Sequence, residues 1–559
     1  MASPALLNQV YVEIDGQNQV ELLNDLVALT VESSLHLPDS ATLVVHDQRL
    51  HWIDFAGLEP GKTLKIKAKA GGGAEHVLFD GEIVGLEPAF VAAAQRLVIR
   101  AYDRLHRLSR GRKVRSFVNV TDSDVGKKLA GEAGLTFKGT QGPVHKYLFQ
   151  NNETNLEFLR RRAAALGYVV YVDGKNLHFC EPKSDSPEIE LKWAETLTEF
   201  HPCLTTVDQV SEAMVRGWDP SKKQEIVGRA QTTKGGPEVG ESRSGGALAK
   251  AAFGAEASDL GAHTPVRSQE VADAMAKGLA GQHASRFIEA DAVCAGHPQM
   301  VAGSPVKISS LGTRFSGKYL VTGCRHEYGE DKGFVTHFTV SGQNPSSLLS
   351  LLAPQAPPPT NRGLVVGIVT DNNDPDSLGR VKVKYPWLAP DQASDWARVV
   401  SVGGGADRGI SFLPEVNDEV LVGFEQGDIH YPYIIGGLWS GEDKPAITAN
   451  DAVSSGKVQK RMIRTRVGHK ITFDDTDGAG GIEILDKNQN SIKIDTGSDT
   501  LKIKVKGKVT IEAQSDVTIE TKAKCNLTAT GSVEIKGMSA KLDGGGGTVT
   551  VKGTMVNIN

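Results

Sequence analysis

Along residues 501–539 every second residue is uncharged and mostly apolar or small, most residues between them are Lys, Glu, Asp or Thr, and no proline follows Pro445. A period of two puts one set of side chains on a single face of an extended chain. Strands usually end within about ten residues, so the chain must bend repeatedly without losing its faces. The bends are visible as a beat. Apolar pairs recur at Val509/Ile511, Val517/Ile519, Cys525/Leu527 and Val533/Ile535, eight residues apart. Further pairs extend the series upstream (Ile482/Ile484, Ile492/Ile494, Leu501/Ile503) and downstream (Ala540/Leu542, Val549/Val551, Val556/Ile558).

A parallel β-helix built by one chain carries hexapeptide or Gly-Gly-x-Gly-x-Asp repeats, and neither occurs here. If each octad is one side of a triangular prism, the strands above and below it come from two other copies, and no lateral edge is left open. The pattern therefore predicts a homotrimer. Its dry row is Leu501, Ile503, Val509, Ile511, Val517, Ile519, Cys525, Leu527, Val533, Ile535, Val549 and Val551, with Gly507, Gly531 and Gly537 at corners. The tip is Val556, Asn557, Ile558 and Asn559, beyond the break at residues 544–547. Ten stacked pairs would make a narrow needle on the order of 50 Å long. The competing reading is an antiparallel sheet with one wet face. Hairpins need turns, and between 501 and 543 there is no Asn-Gly, Asp-Gly or proline turn.

Before this tail the periodicity changes twice. Strand patterns at 10–14, 41–46, 63–67, 78–86 and 96–102 predict a barrel or sandwich. Helical spacing follows over 124–132, and a capping box of Thr154 and Glu157 opens another helix through Leu156, Leu159, Ala163 and Leu166. Residues 231–258, rich in Gly, Ser, Lys and Glu, read as an exposed loop, and Val271, Met275 and Leu279 mark a further helix. Residues 1–350 thus form an α+β unit with two barrel-like parts. A Pro-rich linker at 351–361 leads to a five-strand OB-type barrel at 362–445, a connector at 446–470 and the needle at 471–559. The fold class is mainly β.

Composition narrows the functions. The 559 residues are 40% hydrophobic and 23% charged, with net charge -5, which fits several compact domains and gives no electrostatic footprint for nucleic acid. Four aromatics of the barrel (Trp387, Trp396, Tyr431, Trp439) suggest a single-strand binder, but residues 361–445 hold seven Lys/Arg against thirteen Asp/Glu, and that balance repels phosphate. The five cysteines are scattered without a CxxC spacing and read as reduced, buried thiols. No signal peptide or membrane-spanning run is evident, so synthesis in the cytoplasm is expected.

Asp374-Pro375, the run Gly379-Arg380-Val381-Lys382-Val383-Lys384-Tyr385-Pro386-Trp387, and Val422-Gly423-Phe424-Glu425-Gln426-Gly427-Asp428 before Pro432 and Gly436-Gly437 resemble the barrel of VgrG-type spike proteins. Ala101-Tyr102-Asp103-Arg104-Leu105, residues 155–167, Gly217-Trp218-Asp219-Pro220 and Gly317-Lys318-Tyr319-Leu320-Val321 resemble the hub of the same family and of contractile-phage tails. The resemblance implies a trimeric spike, built as hub, OB neck and β-helical needle, that caps an inner tube and is driven through a target envelope. It implies a hexameric tube protein, baseplate components and cargo effectors as partners, with transient contact to the target membrane, in a particle that is extracellular or membrane-anchored. Some relatives carry a lysozyme domain between barrel and needle, but only about 25 residues separate Pro445 from Ile471/Phe473, too few for a domain. Others close their tip with a His-x-His metal site. Met555 to Asn559 has no histidine, so a separate PAAR-type tip protein is the expected partner.

No catalytic, cofactor or metal residue is singled out. Gly61-Lys62-Thr63 lacks the first glycine of a phosphate loop, and His326-Glu327 lacks the second zinc histidine, Glu330 standing in its place. Asp371 to Asp376 and Asp474 to Asp477 lack the glutamate that ends a calcium loop. The basic run from Arg100 to Arg115 reads as a solvated surface or subunit contact. Two other classes compete with a mechanical spike: a phage-type tailspike enzyme on surface polysaccharide, needing paired carboxylates in a groove, and a trimeric receptor-binding fibre.

Overall fold

The strands are set into several sheets, the longest an antiparallel ladder of eleven strands, with the helices packed beside them. The computed structural model describes all residues except 1–7, 71–73, 92–93, 183–186, 233–235, 263, 330–332, 342–362, 390 and 559; the Pro-rich linker lies outside the described residues. Two compact units are present, Met1–Ser440 and Gly441–Asn559.

In the first unit an eleven-stranded sheet runs Leu197–Leu204, Ile288–Ala295, Gly333–Val340, Gly323–Gly329, Leu26–Ser34, Ser40–His46, Arg96–Tyr102, Glu75–Ala89, Thr63–Ala70, Asn8–Ile14, Gln17–Asn18. Antiparallel pairing of Gly323–Gly329 with Leu26–Ser34, Cys324 opposite Ser33, joins its two halves. Each half buries its own core because alternate residues face inward. One core gathers Val12, Leu43, Ile66, Ile83 and Ile99, and the other Leu191, Ile288, Ile308, Tyr319 and Phe338. Between them in sequence, helices Asp122–Glu132 and Asn155–Leu166 pack with small sheets around Leu129, Phe158 and Phe179. The Thr154/Glu157 capping box forms as expected, Thr154 Oγ1 accepting from Glu157 N and Glu157 Oε2 from Thr154 N.

One local expectation is corrected, and a predicted helix forms with a different buried face. Within 231–258 a helix forms at Gly245–Phe253, capped by Ser244 Oγ, which accepts from Ala247 N; its Ala-rich run favours helix over loop. In the helix Gln269–Ser285 the buried stripe is Ala272, Ala276, Gly278, Ala280 and Ala284, while Val271 and Met275 are only partly buried. Small residues win because the neighbouring backbones come so close. A Cβ on Gly278 would lie 2.6 Å from Leu166 C and 2.7 Å from Gly167 N, where the helix Asn155–Leu166 ends in a left-handed cap. Gly278→Ala is therefore expected to lower stability by ~1–3 kcal/mol, seen as a lower urea midpoint; an unchanged midpoint would contradict this close packing.

The predicted barrel is closed and has five strands: Val365–Asp371, Arg380–Lys384, Ala397–Val399, Pro432–Gly437 and Glu419–Phe424. Val369, Val381, Val383, Tyr385, Ala397, Val420, Val422 and Ile434 fill it. The Asp374-Pro375 motif is a turn clasp. Asp374 accepts from the backbone N–H of Asp376, Leu378 and Arg380 and takes two bonds from the Arg380 guanidinium. Those bonds, Arg380's first, hold its carboxyl well below the usual range.

In the second unit the expected connector is structured, with helix Ala449–Ala452 and strands Val453–Ser454, Lys457–Val458 and Lys460–Arg464. The strand Lys460–Arg464 opens a five-stranded antiparallel meander with Lys470–Asp474, Gly481–Leu485, Ser491–Asp495 and Thr500–Lys504. This changes the reading of Ile482/Ile484, Ile492/Ile494 and Leu501/Ile503 as rungs of an interchain helix: these pairs lie in hairpins of one chain. The cause is turn chemistry upstream of 501. Asp486 Oδ1 accepts from the N–H of both Asn488 and Asn490 at 2.8 Å, and Gly478 takes φ 72 after Asp477.

Candidate functional surfaces

The meander sorts its side chains by cross-strand register. Ile463 faces Ile471, Ile471 faces Ile484, Ile484 faces Ile492 and Ile492 faces Ile503; beside this column Phe473, Ile482, Ile494 and Leu501 form a second. The opposite face carries Thr472, Glu483, Lys493 and Lys502 in register. Apart from Arg461 opposite Phe473 on the first strand, this face is apolar, and within its own chain it stays substantially exposed, Ile484 at 47% and Leu501 at 65%. Apolar cross-strand pairs stabilise the ladder, yet an uncovered face of this size is what a monomeric protein avoids.

After Lys504 the described residues up to Ile558 contain no strand. Of the predicted row, Leu501 and Ile503 therefore sit in the last strand of the meander. Val509, Ile511, Val517, Ile519, Cys525, Leu527, Val533, Ile535, Val549 and Val551 are all exposed, Ile519 at 80%. Val556, Asn557 and Ile558 are exposed too, and Asn559 lies outside the described residues. None of the described residues covers these side chains. Each Val or Ile is worth roughly 1.5–3 kcal/mol when fully buried.

The second surface is the seam between hub and barrel in the first unit, which sequence reading missed because its members are far apart in the chain. Strand Val144–Glu153 lies against the barrel, and Phe149 joins the barrel's core cluster. Tyr147 Oη donates to Ala393 O at 2.8 Å, Phe149 N donates to His430 Nε2 at 2.8 Å, and Ser116 N donates to Gln392 Oε1 at 3.0 Å. Arg267 bonds Glu425 at 2.6 Å and stacks over the Tyr431 ring at 4.4 Å. Aromatic packing with satisfied polar groups makes hub and barrel one body.

The remaining candidates resolve into structure. Thr63 opens a strand, its N–H donating to Asp15 Oδ1. His326 lies in a strand, buried, with Nε2 on Met300 O at 2.8 Å and Nδ1 on Thr336 Oγ1 at 3.0 Å; burial pushes it down to about 4, which keeps it neutral. The basic run is neutralised by acids: Arg100 pairs with Glu87, Arg104 with Asp80, Arg107 with Glu82 and Arg115 with Glu132. Of the cysteines, Cys294 and Cys324 are buried, Cys180 is half-buried, and Cys203 and Cys525 are exposed, so burial does not hold for all five. Asp39 and Asp103 are adjacent carboxyls in a hub cavity, and burial pushes Asp103 up to about 7. Each is committed to a backbone N–H, Asp39 to Ser34 and Asp103 to Leu105. Among the described residues no cluster of His, Cys, Asp or Glu could hold a metal, and no helix is long and apolar enough to cross a membrane.

A hub fused to a closed five-strand barrel is a fold already seen in solved structures. Chains of the Francisella PdpA–VgrG complex share it: the lidded form has TM-score 0.53 at 9% identity over 90% of this chain and 81% of that one. The lidless form has TM-score 0.51 at 10% identity, covering 90% of this chain and 100% of that one. Residues 365–439 match the model described as the type VI secretion system/phage-baseplate injector OB domain. Over residues 5–330, more than half its length, the chain matches the model of the Alg8 N-terminal domain, and it belongs to that family. It is similar to type VI secretion system spike proteins of Pseudomonas aeruginosa: VgrG1a at 31% identity over 153 residues, 25% of this chain and 24% of the relative, and VgrG5 at 42% over 73 residues, 12% of this chain and 9% of the relative. The matched part thus spans a quarter or less of these relatives' length.

Proposed function

We propose that this protein is the trimeric central spike of a contractile injection system, capping the inner tube, joining it to the baseplate and puncturing the target envelope. The observation that carries the reading is the exposed apolar face of the meander at 460–504 together with the exposed apolar row that follows it to Val551, in a protein that also matches the injector OB domain. Three copies facing a common axis bury that row and close every strand edge, giving a stiff shaft that carries load. Hub and barrel, locked by Phe149, Tyr147 and Arg267, form the head that meets a hexameric tube protein and baseplate components. A PAAR-type tip protein and cargo effectors complete the partners. The work is mechanical, and the residues that do it are packing residues.

Light scattering on the intact chain tests this reading: the expected mass is three times the chain's 59.7 kDa, independent of dilution through the micromolar range. A monomer or dimer would overturn it.

A further inference from the structure

The aliphatic row cannot by itself decide how three copies align. Its pairs recur every eight residues from Leu501/Ile503 to Val533/Ile535, so sliding one copy by an octad sets apolar side chains on apolar side chains again. The outward residues between them do not repeat. Even positions 502–508 hold four lysines, the acids Glu512, Asp516 and Glu520 follow, and lysines return at 522 and 524. In the structure all of this stretch is exposed. Short intrachain ion pairs do form further on, Lys536 with Glu534 and Lys541 with Asp543, whereas among the described residues Lys508, Asp516 and Lys524 make none.

On a threefold prism of octads, the strand next to any octad is the following octad of a second copy on one side and the preceding octad of the third on the other. Residue i of one copy then neighbours residue i+8 of another. Lys504 meets Glu512, Lys508 meets Asp516, and Asp516 meets Lys524, at the cost of one like pair, Glu512 with Glu520. A slip of one octad loses both Asp516 pairs and sets Lys508 against Lys524. Resting on the trimeric reading above, we infer that the charged face of the tail is a register device in which Asp516 of one copy is held between Lys508 of a second and Lys524 of the third. Exposed pairs are individually weak, but threefold symmetry repeats each one, and like charges directly opposite destabilise a ladder.

The test uses the full chain, with trimer dissociation in urea followed at low and high sodium chloride for the wild type, Asp516→Lys, and the triple variant Lys508→Glu/Asp516→Lys/Lys524→Glu. At low salt Asp516→Lys is expected to dissociate at least about tenfold faster or to fail to assemble, the difference shrinking at high salt as the charges are screened. The triple variant, with every sign inverted, should return to within about threefold of the wild type. Wild-type behaviour of Asp516→Lys at low salt, or a triple variant no better than the single, overturns the register device while leaving the trimer standing. A wild type that is not a trimer overturns the trimeric reading itself.

Discussion

Ile519→Asp is expected to abolish the proposed trimer at neutral pH. Ile519 is 80% exposed in its own chain, so in a monomer the substitution is a surface change and should leave the fold of each copy intact. In the trimer it brings three carboxylates to one axis. Each copy loses the roughly 1.5–3 kcal/mol of burying the isoleucine and gains the desolvation of an unpaired charge, several kcal/mol per ion. The total is on the order of 10 kcal/mol or more per trimer, enough to shift assembly by many decades. Light scattering should therefore report a monomer. Protonating the new carboxyls removes most of the cost, so partial reassembly near pH 4 is expected. Thr518→Asp, one residue away on the outward face, is the control and should leave the trimer intact. Equal stability of Ile519→Asp and wild type would show that the row does not face an axis.

Asp122→Ala should produce the largest loss within the hub. Asp122 is 1% exposed, at the start of the helix Asp122–Glu132, and its carboxylate takes bonds from Arg162 Nε at 2.7 Å and Nη2 at 3.2 Å and from His145 Nε2 at 2.9 Å. Burial alone would raise its pKa, but the Arg162 charge and the bonds from His145 and Arg162 outweigh burial and hold it well below the usual carboxylate range. Truncation leaves a largely buried guanidinium without its counter-ion, at a cost of about 3–5 kcal/mol. Thermal or urea unfolding of the hub measures it, and a shift under about 1 kcal/mol would mean that water replaces the carboxylate at little cost. The sign of the pH effect follows from the lowered pKa. The contribution is complete above about pH 4, the value of an unfolded aspartate, and is lost as pH falls through the lower folded value. In Asp122→Ala that acid-dependent part of the stability should be missing.

Local chemistry was legible where it is decided locally. The Thr154/Glu157 box and the five-strand barrel could be read from residues a few positions apart. The helix at Gly245–Phe253 was obscured by the Gly, Ser and Lys around it, and the small-residue face of Gln269–Ser285 by the larger Val271 and Met275 beside it. The small-residue face is decided by a contact with a distant segment, where Gly278 approaches Leu166. The hub–barrel seam joins Phe149 to His430, 281 residues apart, which no periodicity encodes.

Alternation fixed by peptide geometry set, from sequence alone, the apolar residues of the tail on one face, and the octad beat carried that pattern past the length of any single strand. Whether a given apolar pair is covered by its own chain or by another copy depends on where the chain turns back. Tertiary structure decided that: the turns at Asp477-Gly478 and at Asp486 to Asn490 fold residues 460–504 onto themselves, while from Val505 onward no such turn brings a strand back and the row stays open. The same apolar alternation runs through both stretches, because a period of two follows from extended backbone whether or not a neighbouring strand of the chain pairs with it.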